Sequence, residues 1–146
     1  MSAEFQVLQV TWESHAPQLT AVRQEVFVEE QEVDPAFEWD EIDAVAVHLL
    51  ALSGDQPVGC ARIIDFKKIG SMAVVKSWRG RCVGQALLDK AIAICEEAGS
   101  ELVKLTAQTH AITFYEQAGF VATSGVYQDA NIPHVDMQLQ LIKAVN

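Results

Sequence analysis

The residues best placed to do chemistry run from Met72 to Leu88, in the order Met-Ala-Val-Val-Lys-Ser-Trp-Arg-Gly-Arg-Cys-Val-Gly-Gln-Ala-Leu-Leu. This order reads as a strand, a basic glycine-containing turn and the start of an amphipathic helix. A helix start offers unpaired N–H donors and a partial positive charge. Gly84 and Ala86 are small enough for a pyrophosphate to approach the backbone, and Arg79 and Arg81 add charge at the same place. Taken alone the pattern is weak, because a glycine at a strand-to-helix turn is often only a turn. A second group lies at Ala111–Phe120, where a short helix carries Tyr115 and ends at Gly119. Phe114, Tyr115 and Phe120 read equally well as core residues. A tyrosine hydroxyl in a cleft, with an ordinary pKa of about 10, can donate a proton to a leaving group.

The elements that must position these groups follow from periodicity. Glu4–Val10 reads as a first strand, and Pro17 suits the first turn of a helix with Ser14 or His15 near its cap. Leu19, Val22, Val26 and Phe27 carry that helix to about Glu30. Gln31–Asp43 is acidic, interrupted by Pro35, and reads as a short helix or loop. Ala44–Leu52 and Val58–Phe66 flank the turn cluster Ser53–Pro57 and predict an antiparallel hairpin. Ile69–Val75 is the next strand, and Gly80–Ala98 the clearest helix, stopped by Gly99. Glu101–Ala107 is a strand, Ala111–Ala118 a short helix, and Phe120–Tyr127 and His134–Leu141 are strands around a loop holding Asn131 and Pro133. The strand-helix-strand from Ile69 to Ala107 predicts a right-handed parallel crossover in an otherwise hairpin-built, mixed sheet.

Composition narrows the class. The 146 residues suit one domain spanning 1–146, half of them are hydrophobic, and no run reaches the roughly 18 apolar residues of a membrane span. Met1–Glu4 lacks the basic and apolar regions of a signal peptide, so a cytoplasmic protein is expected. Cys60, Cys82 and Cys95 have no metal-ligand spacing and read as reduced thiols, with no metal site expected. The net charge of -10 argues against nucleic acid. The charge is uneven: Arg23 is the only basic residue among the first 60, against twelve acids, whereas residues 61–90 hold seven basic residues and two acids. A basic island in an acidic protein suggests a bound anion there; the acidic segment suggests solubility or a cationic second ligand.

The two motifs, in this order and spacing, resemble the GNAT superfamily of acyl-CoA-dependent N-acyltransferases over nearly the whole chain. Met72-Ala73-Val74 and the run Arg81-Cys82-Val83-Gly84-Gln85-Ala86 stand at the family's strand end and Arg/Gln-x-x-Gly-x-Gly/Ala turn. Phe114-Tyr115 and Gly119-Phe120 stand at its Phe-Tyr-x-x-x-Gly-Phe motif, with His110 where asparagine is common and Cys82 where a first glycine is common. Arg23–Gln31, Glu41-x-Asp43, His48-Leu49-Leu50 and Ile132-Pro133-His134 look like the ElaA-type branch. Arg23-x-x-Val26-Phe27 is also similar to acyl-homoserine-lactone synthases, which share the fold but are longer.

The resemblance implies a GNAT-like α/β (α+β) fold with a mixed, mostly antiparallel sheet flanked by helices. It implies an enzyme, an N-acetyltransferase with acetyl-CoA as co-substrate and a small-molecule or peptide amine as acceptor. The other reading is a CoA-binding sensor or interaction domain without catalysis. The amides of 81–86, with Arg79, would hold the pyrophosphate, and His110 would lie on the pantetheine side. N–H groups near Val74 would steady the oxyanion, and Tyr115 would protonate the thiolate. Glu30, His48, His110 and His134 are candidates for the base, with His134 favoured and a water relay as the default. The acidic segment motivates a cationic acceptor. By analogy with relatives a homodimer is an open option.

Overall fold

A computed structural model describes residues 4–35 and 40–141. Residues 36–39, within the segment expected to be a short helix or loop, lie outside them, as do residues 1–3 of the N-terminal stretch. The chain runs β1 (Gln6–Val10), α1 (Trp12–Arg23), a π-helical continuation (Gln24–Glu30) and a 3-10 turn (Glu41–Ala44). It continues through β2 (Val47–Ser53), β3 (Gln56–Ile64), β4 (Lys68–Val74), α2 (Val83–Glu97) and β5 (Leu102–Gln108). It ends with α3 (Ile112–Gln117), β6 (Val121–Ala122), β7 (Tyr127–Asp129) and β8 (Ile132–Gln140). The sheet order is β1-β2-β3-β4-β5-β8-β6, with β7 also on β8. Every pairing is antiparallel except β4 with β5, so the predicted mixed sheet with one parallel crossover is what forms.

Helix α1 starts earlier than Pro17 suggests. Thr11 is its N-cap: its side chain accepts from the Ser14 N–H at 3.1 Å, and Ser14 Oγ accepts from the Thr11 N–H at 3.2 Å. This reciprocal pair satisfies two donors of the first turn. His15 is non-helical at φ -137°, a kink two residues before Pro17, whose missing N–H and bulky ring disfavour a regular helix there. Past Arg23 the hydrogen bonds lengthen to the i→i−5 pattern, as from the Gln31 N–H to the Val26 carbonyl at 3.0 Å. This wider winding brings Val26, Phe27, Glu30 and Gln31 together over one cavity.

Helix α2 begins at Val83, three residues later than expected. Gly80 (φ 77°) and Cys82 (φ 69°) are left-handed, so the chain turns there before it can wind. The expected strand Phe120–Tyr127 is two short strands. Between them the Thr123 N–H bonds the Asp136 carbonyl and Ser124 Oγ accepts from the Asp136 N–H, replacing the regular ladder. Asn131 lies in a tight turn with Ala130, both at positive φ, and Pro133 lies inside β8 rather than in a loop.

Register sets which side chains share a face. Gly59 on β3 faces α2: a Cβ there would lie 3.0 Å from Leu87 and Val83 and 3.2 Å from the Ala73 carbonyl. That absent side chain lets the helix sit close to the sheet. Gly59→Ala is expected to destabilise the fold by about 1–3 kcal/mol through overpacking, read as a lower urea midpoint with unchanged slope. Arg62, three residues on, turns to the opposite face, where α1 supplies Arg23 to the same carboxylate, Asp43. No described helix is long and apolar enough to cross a membrane.

Candidate active site

Strands β4 and β5 pair only at Lys68–Ile69 against Lys104–Leu105, then separate. The gap opens a cavity of about 690 Å³, within the range usual for small-ligand sites. On the β3 side, β4 changes register between Cys60 and Arg62, and Ser71 within it is left-handed at φ 48°. That irregularity bends β4 away from β5. Val75 gives its N–H to the Val58 carbonyl on β3 at 3.0 Å. Successive residues of a strand alternate their edges, so the N–H of Val74 faces the gap. The Val74 carbonyl is held by Arg79 Nε at 2.9 Å, a contact from outside the sheet.

The cavity gathers residues far apart in sequence. Met72, Ala73, Val74, Arg79, His110, Tyr115 and His134 all line it. The Tyr115 hydroxyl lies 3.7 Å from Met72 Sδ, and its ring packs edge-on against Phe114 and Phe120. Burial pushes the phenol up to about 12, so the hydroxyl keeps its proton throughout the neutral range. The His134 Nδ1 lies 2.6 Å from the Ile132 carbonyl, which can only accept, so Nδ1 carries a hydrogen and the lone pair of the neutral ring is on Nε2. Tyr127 stacks on the same ring at 6.5 Å.

The other base candidates divide. Glu30 lines the cavity but is gripped by both terminal nitrogens of Arg79 at 2.6 and 2.7 Å. That hydrogen bond holds its carboxyl below the usual value, against the smaller opposing effect of burial, and makes it a weak base. His110 lines the cavity from the exposed turn after β5. His48 is buried away from that lining, tilted against Trp12, with its Nε2 2.9 Å from the Asp43 carbonyl.

The residues Arg81–Ala86 do not line this cavity; they form the turn beside it and the start of α2. Val83 is a core residue. The first amide of α2 to bond within the helix is Ala86, to the Cys82 carbonyl at 3.0 Å, so the N–H groups of Val83, Gly84 and Gln85 precede the ladder. Cys82 gives them no side-chain cap. A Cβ at Gly84 would meet Phe114 at 3.4 Å and Val74 at 3.8 Å, so this amide run abuts the strand that borders the cavity. An anionic ligand with a long arm fits this layout: phosphates on the free amides, the arm in the gap between β4 and β5. Arg81 lies over the Trp78 ring at 4.5 Å. Arg79, expected to supply charge for an anion, meets Glu30 and the Val74 carbonyl instead.

Two features of the site were not anticipated from the sequence. Gln31 and Gln108 exchange side-chain hydrogen bonds at 3.2 and 2.8 Å, joining the end of the π-helical stretch to the end of β5. Asp43 Oδ1 accepts from Arg23 Nη1 at 2.8 Å and from Arg62 Nη1 at 2.9 Å, and Arg62 Nη1 also meets Asp40 Oδ1 at 2.8 Å. The only signal in the sequence was a lone arginine among twelve acids.

Comparison with known proteins agrees with this geometry. The sequence model of the Acetyltransferase (GNAT) domain matches residues 15–141. The uncharacterized N-acetyltransferase YjcF of Bacillus subtilis is 35% identical over 80% of this chain and 86% of its own. Protein ElaA of Escherichia coli is 33% identical over 86% of this chain and 88% of its own, and its crystal structure superposes with a TM-score of 0.81 over 94% of this chain and 99% of that one. An acyl-CoA N-acyltransferase of Pseudomonas aeruginosa, 30% identical, superposes with the same TM-score over 94% of this chain and 99% of its own. With the parallel crossover, the parted strands and the uncapped helix start all falling inside the matched residues, the chain belongs to the GNAT acetyltransferase family.

Proposed function

We propose that this protein is a cytoplasmic N-acetyltransferase that moves the acetyl group of acetyl-CoA to a primary amine of a small molecule or peptide. The observation that carries the proposal is the gap between β4 and β5, which is lined both by a proton-bearing Tyr115 and by His134, whose Nδ1 is held by the Ile132 carbonyl. Acyl-CoA supplies the thioester. The free amides of Val83, Gly84 and Gln85 hold its pyrophosphate. The Val74 N–H, facing the gap, donates to the thioester oxygen as charge develops there. His134 Nε2 accepts the proton that the amine gives up, directly or through water, as the C–N bond forms. Tyr115 gives its proton to the sulfur as the C–S bond breaks, and is reprotonated from solvent.

The test is release of free CoA thiol from acetyl-CoA over a panel of amines, with heats of CoA binding measured in parallel. Amine-dependent thiol release is expected. CoA binding with no release for any amine would leave a binding domain without transfer; flat heats would remove the donor site altogether.

A further inference from the structure

Three of the acids in the segment that suggested a cationic acceptor are held by arginines: Glu30 by Arg79, and Asp40 and Asp43 by Arg62, the latter also by Arg23. Arg62 itself lines the cavity. Both carboxylates that it meets converge on one nitrogen, Nη1, while its buried Nε has no hydrogen-bond partner among the described residues. The guanidinium is therefore fixed in place through Nη1, and Nη2, which makes no hydrogen bond among the described residues, is left as a donor. Gly70 faces Arg62 across the β3–β4 ladder, and a Cβ there would meet nothing within 4 Å, so space lies beside the arginine. Lys68, also lining the cavity, projects on the same face, two residues before Gly70. A fixed, planar fork with spare donors, open space against it and a second cation on the same face are suited to a carboxylate.

From this we infer that the amine acceptor bears a carboxylate, as an amino acid does, and that Arg62 binds it with help from Lys68. The inference rests on the transferase reading and specifies its acceptor. Arg62 acts here on binding, so its loss raises KM with kcat largely preserved.

The experiment compares each of a set of amino acids with its own carboxamide and its decarboxylated amine, on the unaltered protein. Two readings are taken: thiol release from acetyl-CoA, and the shift of the melting temperature without acetyl-CoA. Amino acids are expected to exceed their carboxamides by about 10- to 100-fold in kcat/KM, the size of a hydrogen bond to a charged group. They should also raise the melting temperature where the carboxamides do not. Arg62→Lys should keep part of the preference, and Lys68→Ala, at an exposed position, should lower it without disturbing the fold. Equal turnover of carboxamides and amino acids would overturn the inference while leaving acetyl transfer intact. If no amine is turned over, the transferase reading fails, and the melting shift alone decides the carboxylate site: a shift with amino acids only supports it, and the same shift or none with both overturns it.

Discussion

Tyr115→Phe is expected to lower kcat by about 10²- to 10⁴-fold, the usual contribution of a positioned acid, while leaving the affinity for acetyl-CoA nearly unchanged. The substitution removes one oxygen and keeps the ring, so the edge-on packing with Phe114 and Phe120 survives. Among the described residues the only hydrogen bond lost is the weak one to Met72 Sδ at 3.7 Å. Burial raises this phenol to about 12, so through the neutral and mildly alkaline range the hydroxyl remains a donor. The wild-type kcat should therefore show no alkaline loss attributable to Tyr115 below that value. An alkaline limb near pH 10 that vanishes in the Phe variant would show an ordinary, solvated phenol instead. Unchanged kcat in the variant would remove Tyr115 as the acid. Steady-state kinetics from pH 6 to 10 with saturating acetyl-CoA separates these results.

The elements that carry the fold were legible where one face is apolar and the neighbours are close in sequence. The β2–β3 hairpin follows from two apolar runs around a turn cluster, and α2 from the spacing of Val83, Leu87, Leu88, Ala91 and Cys95, all buried. Boundaries were less legible because local chemistry outside the apolar pattern fixes them. Thr11 caps α1 through Ser14 where a glutamate would have been the recognisable partner. Cys82 holds a left-handed conformation in which a glycine would have announced the turn. Phe120–Tyr127 keeps a strand composition, yet side-chain and loop bonds to Asp136 divide it. The candidate donor side could be proposed from the sequence because it depends on a contiguous turn and a short motif. The acceptor side was not, since Arg62, Gln31 and Gln108 acquire their meaning from partners 19 to 77 residues away. Fold and donor motif leave such pockets unspecified.

The second large effect concerns stability. Asp43→Ala is expected to destabilise the domain by about 3–5 kcal/mol, a large part of the roughly 5–15 kcal/mol available to a small domain. The carboxylate is 3% exposed and shared by Arg23, 1% exposed, and Arg62, 12% exposed. Removing it leaves Arg23 buried without this counter-charge, which costs more than the net worth of the pairs. Asp43→Asn keeps the shape and one acceptor oxygen but not the charge, and should fall between wild type and alanine. The same network sets how stability depends on pH. Burial alone would raise the Asp43 carboxyl, but the hydrogen bond and charge of Arg23, then those of Arg62, hold it below its ordinary 3.8. Burial pushes His48 below its ordinary 6.5, against the opposing bond to the Asp43 carbonyl. Both folded values are depressed, so in both cases the unfolded chain takes up its proton first on acidification. The His48 contribution is complete above about 6.5 and is lost as pH falls from there through its folded value. The Asp43 contribution is complete above 3.8 and is lost below it, as pH falls through its folded value. Unfolding free energy measured in urea should thus decline in two stages, and Asp43→Ala should diminish the second, to which the Glu30 carboxyl held by Arg79 also contributes. A second stage undiminished in that variant would place the acid-sensitive carboxylate elsewhere in the domain.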